Sequence, residues 1–263
     1  MTPVIEAEGA PVEQGRAQGA RLAEVIRAEL ARQSAELGWL ARRALTRRAA
    51  ALSARSLETQ LPWQRERIEG LARAAGASES LLLAGEARVR VQGAAFWDGA
   101  VLRAELALPA ELESLLILRR SAPDAGGFAS AELSLAPLAG CLAGVNAEGI
   151  AVVATRDPSR DELSMRFHAQ ELLFRARDLD AGVDHLRRRA RYAGGSGTLV
   201  AADSSGGVRV LELRAGVLEL GDPRLLAKSA AAPRLELDPS LRQLTLYESD
   251  TARAPTRLDA VAR

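Results

Sequence analysis

Residues 137–155 read PLAGCLAGVNAEGIAVVAT and are the most regular stretch of this 263-residue chain. The pattern predicts a strand over 138–145, a tight turn over 146–149 and a second strand over 150–154. Asn146 and Gly149 supply the local hydrogen bonds and the positive φ angle that a hairpin turn needs. Both strands are almost continuously apolar, so we expect both faces of this hairpin to be covered by other layers.

Helical and strand patterns surround this hairpin in blocks. Helices are predicted at 12–36, 39–57, 62–76, 161–177 and 180–191. Strands are predicted at 3–8, 87–97, 100–106, 115–118, 198–202, 208–213, 216–220, 233–237 and 243–247, followed by a frayed C-terminal end. Because helices and strands do not simply alternate, antiparallel sheets between helical layers are favoured over a doubly wound parallel sheet.

Three local signals support these boundaries. Asp98-Gly99 is a two-residue hairpin signal between two strand patterns. Pro62 marks a helix start and Gly76 a helix end. No stretch has the character of a linker. We therefore expect one domain over 1–263, with a helical part over 1–85 and the sheets and a second helical layer over 86–263.

Composition excludes several classes of function. The chain is 48% hydrophobic and 26% charged, as ordinary globular proteins are, and its net charge of +1 gives no field for nucleic acid. There is no apolar run long enough for a membrane span and no signal-peptide pattern, so a cytoplasmic, bacterial-type protein is expected. One cysteine, Cys141, and two histidines, His168 and His185, predict neither a disulfide nor a metal site nor a cofactor.

Four stretches in order carry a family resemblance. They are GAPVEQGRAQGARLAEVI (9–26), IEGLARAAGASESLLLAG (68–85), LAGCLAGVNAEGIAVV (138–153) and FHAQELLFRARDLDAGVDHL (167–186) with the later GTLVAADSSGGVRVLEL (197–213). This order resembles the penicillin acyltransferase-like family, related to acyl-coenzyme A:isopenicillin N acyltransferase and the linear amide amidohydrolases. The resemblance covers roughly residues 9–213.

The resemblance implies an α+β fold, the four-layer αββα sandwich of N-terminal-nucleophile hydrolases, with two antiparallel sheets between helical layers. Members cleave their own chain just before a cysteine. The thiolate of that cysteine attacks an amide or thioester, and its free α-amino group acts as the base. In the family this cysteine lies on a strand before an Asp-Gly turn, and the corresponding stretch here is VRVQGAAFWDG (89–99).

The nucleophile is missing from that stretch. Its position falls on Gly93, or on Gln92 if the strand is aligned one residue differently. Neither residue can attack a carbonyl or drive the acyl shift of self-cleavage. Between Ser80 and Ser114 the sequence contains no Ser, Thr or Cys. The resemblance therefore predicts the fold and a site without its nucleophile.

Other family features are also altered. The family's Arg-Asn-x-Asp element after the Asp-Gly turn corresponds to residues 103–107, RAELA. The asparagine expected at the end of the second hairpin strand is Ala154 or Thr155. Four candidate pocket or turn positions are retained: Asn146, Gly149, Asp203 and Glu212.

Cys141 is the one thiol that could act as a displaced nucleophile. Its apolar surroundings in sequence contain no His or Lys that would lower its pKa, which favours a packed small hydrophobe. Ser134 and Ser196 are the alternative nucleophiles. His168, beside Phe167 on an amphipathic helix, is a candidate base without a paired nucleophile.

The leading hypothesis is a catalytically degenerate family member that retains the scaffold as a binding or assembly protein. Its expected partners are a small acyl or peptide ligand, a second copy of the chain or a paralogous subunit, with neither nucleic acid nor membrane. One alternative is an active amide hydrolase or acyltransferase using Cys141 or a serine. The other is a structural subunit of a larger assembly, with a partner on an arginine-rich helix: Arg42, Arg43, Arg47 and Arg48.

Overall fold

The computed structural model describes residues 2–36, 43–44, 46–47, 56–157, 163–193, 195–214, 216–221, 235–247 and 255–260. The helices are α1 (Pro11–Arg21), α2 (Ala23–Glu36), α3 (Glu58–Gln60), α4 (Pro62–Ala75), α5 (Glu79–Arg88), α6 (Ala110–Glu113), α7 (Met165–Arg175) and α8 (Leu179–Ala193). The strands are β1 (Val4–Glu8), β2 (Val91–Trp97), β3 (Leu102–Ala107), β4 (Leu116–Ala122), β5 (Ser130–Leu135), β6 (Ala143–Asn146), β7 (Ile150–Asp157), β8 (Gly197–Asp203), β9 (Val208–Arg214), β10 (Val217–Gly221), β11 (Leu235–Asp238), β12 (Gln243–Leu246) and β13 (Thr256–Asp259).

The strands form one curled sheet with two arms. Arm A has the order β1-β4-β5-β6-β7-β8-β9-β10, and arm B has the order β2-β3-β11-β12-β13. The arms join where the start of β2 pairs with the end of β7. The pair β1–β4 is parallel and the other described pairs are antiparallel. The mixed α+β class is therefore confirmed.

The hairpin of β6 and β7 lies at the centre of arm A, and both of its faces are buried. Ala151 and Val153 point into a core between the two arms, where they meet leucines of arm B such as Leu237 and Leu244. The alternate residues Ile150, Val152 and Ala154 point to the helices α7 and α8. The expectation that both faces are covered is confirmed, and the reason is the period-two alternation of strand side chains.

The larger helices pack on the outer face of arm A. Ile5 and Ile117 of this face meet α1, α2, α4 and α5, whereas α7 and α8 cover β6 to β10. Helices α1 and α4 cross with their backbones in direct contact, since a Cβ built on Gly15 or Gly70 would lie 1.9 Å from a carbonyl oxygen of the other helix. Only glycine permits so close an approach.

The outer face of arm B is polar. Arg103 of β3 bonds to Glu236 of β11 at 2.9 Å, and Tyr247 donates to the same carboxylate at 2.8 Å. The described residues thus form helix, sheet and sheet layers. No described helix packs extensively on this outer face, where the resemblance implies a second helical layer.

Several boundaries predicted from the sequence are wrong. The predicted helix over 12–36 is two helices, because the chain leaves helical geometry at Leu22 (φ −118°, ψ 16°). Residues 138–142 precede β6 and are not strand, and α7 begins at Met165, after the N-cap Ser164. The end of the chain, expected to be frayed, contains β13, which pairs with β12. Most of the predicted helix over 39–57 lies outside the described residues.

Candidate functional site

The position predicted for the nucleophile lies at the junction between the two arms. Gln92 pairs with Arg156 of β7 and with Ala107 of β3, and Gly93 pairs with Leu106 of β3. Both Gln92 and Gly93 are exposed. A nucleophile here would be accessible to a substrate, but neither residue carries one.

Gly93 has no room for a side chain. A Cβ built on it would lie 2.5 Å from the carbonyl oxygen of Glu105 and 2.9 Å from Cδ2 of Leu106. Real Cβ atoms almost never approach a heavy atom this closely, so β3 would have to shift before a cysteine or serine fitted. The packing of β2 against β3 therefore leaves no space for a nucleophilic side chain at Gly93.

A buried charge cluster fixes the entry to β2; we call it the Arg166 cluster (Arg166, Glu86, Asp157, Ser164). Arg166 is fully buried and pairs with Glu86 at 3.1 Å and with Asp157 at 2.9 Å. It also donates to the carbonyl oxygen of Val89 at 3.0 Å, just before β2. Ser164 donates to Asp157 at 2.6 Å and accepts from the backbone N–H of Arg166.

The other carboxylate oxygen of Glu86 binds backbone. Its Oε1 accepts from the N–H groups of Ala139 and Gly140 at 2.8 and 3.0 Å. The Arg166 cluster therefore ties α5, α7, β7 and the segment before β6 to the start of β2. Its hydrogen bonds hold backbone and neighbouring side chains in place, which is a positioning role.

A second buried network lies between β4–β5 and the helices; we call it the Glu132 network (Gln18, Arg67, Arg119, Ser121, Ser130, Glu132, Gln170). Arg119 pairs with Glu132, and its Nη1 donates to Gln18 at 2.6 Å. Ser130 and Gln170 donate to the Glu132 carboxylate at 2.7 and 2.9 Å. A carboxylate with this many donors is held in its ionised form.

The charges of the Glu132 network shift one another's pKa values. Burial alone would raise the pKa of Glu132, but Arg119, Arg67 and the Ser130 hydroxyl lower it to about 2. Burial, followed by repulsion from Arg119, lowers the pKa of Arg67 to about 9. The negative charge of Glu132 therefore offsets the cost of burying the positive charges of Arg119 and Arg67. The folded chain needs this carboxylate for its stability.

Cys141 is fully buried in the apolar cluster between arm A and helices α7 and α8. Burial, followed by the nearby Glu132 carboxylate, raises the pKa of its thiol well above the ordinary value. The thiolate is the nucleophilic form of cysteine, and this environment disfavours it. The residue therefore has the properties of a packed side chain.

We expect Cys141 to be unreactive in the folded protein. An alkylating reagent should label the chain once in denaturant and leave it unlabelled under native conditions, because the thiol becomes accessible only on unfolding. Mass spectrometry of the intact chain measures both states. Rapid native labelling would show that Cys141 is accessible and ionised, contrary to this expectation.

Three of the four candidate pocket residues shape two adjacent turns. Asn146 is fully buried; its amide donates to the carbonyl oxygens of Leu173 and Ala176, and its oxygen accepts from two N–H groups of its own turn. Gly149 has φ +82°, and Asp203 accepts hydrogen bonds from the turn that follows it. Glu212 lies at the other end of β9, opposite Thr198. These residues do not converge on one pocket.

The remaining candidates lie on several elements. Ser134 is fully buried and donates to the carbonyl oxygen of Gly140 at 2.6 Å. His168 is buried on α7, and Ser196 is half-buried before β8. His185 is on α8, where its Nε2 lies 2.7 Å from a Glu171 oxygen. A Cβ built on Gly195, the neighbour of Ser196 in the chain, would lie 2.9 Å from Nε2 of His168, so the His168 ring lies beside the segment that carries Ser196.

Sequence reasoning missed the buried charges. Glu86, Glu132 and Arg166 are each at most 4% exposed, and the sequence patterns predict none of them as a site residue. The available signal was a charged residue inside an apolar stretch, as in SAELSL at 130–135. That signal alone cannot separate a buried pair from a solvated face, because the partners lie far away in sequence.

Among the described residues, no group of three His, Cys, Asp or Glu side chains is arranged to hold a metal ion. Arg43 and Arg47 are exposed, whereas Arg42 and Arg48 lie outside the described residues. None of the helices in the described part of the chain is both long enough and apolar enough to cross a membrane.

Comparison with protein-family models and with curated proteins finds no match. The family resemblance therefore rests on the four stretches of the sequence alone. What the junction can do chemically follows from its own residues. It offers an accessible strand start, a buried charge cluster beneath it and no nucleophile on β2.

Proposed function

We propose that this chain is a catalytically degenerate protein of the penicillin acyltransferase-like type that keeps its scaffold for binding or assembly. The observation that carries the proposal is the packing at Gly93, which with Gln92 is one of the two residues that align with the family's nucleophile, and which leaves no space for a side chain. The two facing arms with helices on arm A support a relationship to the αββα sandwich. A small acyl or peptide ligand, a second copy or a paralogous subunit is the proposed partner.

The proposal requires the chain to remain intact and inactive. Purified protein should give a single species at 27.9 kDa and no turnover of amide or thioester substrates. Thermal melting with N-acyl amino acids tests the ligand, and the mass in solution tests self-assembly. Two fragments separated near Gly93, or turnover abolished by Cys141→Ala, would contradict the proposal.

Restoring a nucleophile should fail. Gly93→Cys is expected to remain uncleaved and inactive, and to lose about 1–3 kcal/mol of unfolding free energy through overpacking. Ala94→Cys on the same strand is the matched control, since that position already carries a Cβ; it should unfold close to wild type. Intact mass, substrate turnover and chemical denaturation measure these outcomes. A self-cleaved, active Gly93→Cys variant would show that the site is intact apart from its nucleophile.

A further inference from the structure

Three polar atoms are buried at the interface of α4 and α7. Gln64 and Arg67 lie one turn apart on α4, and Gln170 lies on α7; each side chain is at most 1% exposed. Oε1 of Gln64, Nε of Arg67 and Oε1 of Gln170 have no hydrogen-bond partner among the described residues. Buried polar atoms are normally satisfied by protein or by ordered water.

The orientation of both amides is fixed by their other ends. Gln64 donates through Nε2 to the carbonyl oxygen of Phe167 at 3.4 Å, and Gln170 donates through Nε2 to Glu132 at 2.9 Å. A carbonyl oxygen and an ionised carboxylate can only accept, so neither amide can be flipped without losing its bond. The unpartnered set is therefore one donor, from Arg67, and two acceptors.

The contacts of these residues lead to neighbouring groups. The Gln64 amide bonds to Phe167, which lies one turn before Gln170 on α7. Arg67 interacts electrostatically with Glu132, the group that Gln170 binds. We name the region between Gln64, Arg67 and Gln170 the α4–α7 chamber.

We propose that the α4–α7 chamber is a binding site for one water molecule, which accepts from Nε of Arg67 and donates to Oε1 of Gln64 and of Gln170. Water is the smallest molecule that accepts one hydrogen bond and donates two. A halide ion could only accept and would face two amide oxygens; a metal cation would face the arginine.

The bound water gives α4 and α7 a shared contact beside the Glu132 network. Through Gln170 it is one step from the carboxylate of Glu132. The inference is independent of the proposed function, since it depends on hydrogen-bonding capacity and not on the nucleophile position.

A crystal structure of the full chain, grown or soaked with bromide, tests the site. Solvent density within hydrogen-bond distance of all three atoms, without an anomalous bromide signal, is the expected result. An anomalous bromide peak in the chamber would show that the site binds an anion in place of water, and would overturn the assignment. Direct pairing of the three side chains with one another, with no density between them, would also overturn it.

Magnetic relaxation dispersion of water nuclei gives a second readout in solution. Gln64→Leu should contain one long-lived water fewer than wild type, because a wall acceptor is lost. Gln33→Leu is the matched control: Gln33 is a buried glutamine on α2 that bonds to Glu29, and this variant should match wild type. Equal numbers of long-lived waters in wild type and in folded Gln64→Leu would overturn the proposal. If Gln64→Leu does not fold, the crystal structure of the unaltered chain provides the test.

Discussion

Replacing Gly15 or Gly70 with alanine should destabilise the protein more than any other glycine-to-alanine change in its helices. A Cβ on Gly15 would lie 1.9 Å from the carbonyl oxygen of Arg67, and one on Gly70 would lie 1.9 Å from that of Val12. The clashing atoms are backbone, so no side chain can rotate to make room. The two helices would have to separate along their whole contact.

The expected cost is about 3 kcal/mol of unfolding free energy, at the upper end of what overpacking causes. The opposing gain in helix propensity from glycine to alanine is only about 1 kcal/mol. The steric effect therefore wins. For a chain of this size such a loss corresponds to a fall of roughly 10 °C in melting temperature.

Gly85→Ala is the matched control. Gly85 is also a buried glycine within a helix, but its built Cβ would meet Oε1 of Gln33 at 3.4 Å, the upper limit of a tight contact. This variant should be neutral or slightly stabilised through helix propensity. Denaturant titration of the three variants decides the matter. Equal stability of Gly15→Ala and Gly85→Ala would show that α1 and α4 do not cross in backbone contact.

Local signals in the sequence were sufficient for part of the fold. The turn at Asn146–Gly149, the Asp98-Gly99 hairpin and the helix between Pro62 and Gly76 each depend on residues that act on their own backbone. The structure confirms all three, with Gly76 at φ +63° and Gly149 at φ +82°. Such signals are readable because cause and effect lie within a few residues.

Structure that depends on distant residues could not be predicted from local sequence patterns. β13 is a strand because β12 lies beside it, and its four residues carry no strong pattern of their own. The division of the first long helix at Leu22 is invisible in the apolar spacing, which continues across it. Tertiary contacts override weak local preferences in both cases.

Of the candidate site, the sequence could predict only that nucleophilic residue types are absent from β2. The absence of Ser, Thr and Cys from β2 could be read from the residues, whereas the lack of space at Gly93 depends on β3. The polar, helix-facing side of β4 and β5 resembles a solvated strand face in sequence. It is buried because Gln18, Arg67 and Gln170 of three distant helices supply its partners.

Glu132→Gln is expected to destabilise the folded chain strongly. The substitution keeps the shape of the side chain but removes the one carboxylate of the Glu132 network, leaving Arg119 and Arg67 buried without a counterion. Removing one partner of a buried ion pair costs about 3–5 kcal/mol. Arg67→Met is the informative comparison. In this variant Glu132 still pairs with Arg119, and the repulsion between Arg119 and Arg67 is removed. Its loss of stability should be much smaller.

The pH dependence of stability gives the same group a second, independent signature. The pKa of Glu132 is about 2 in the folded chain, against an ordinary value of 4.5. A lowered carboxylate pKa stabilises the fold above the ordinary value, and that contribution is lost as the pH falls from 4.5 towards 2. The shift corresponds to about 3 kcal/mol. Denaturant titrations of wild type and Glu132→Gln between neutral and acidic pH should therefore converge as the pH falls. A constant difference across that range would show that Glu132 does not titrate as the counterion of the two arginines.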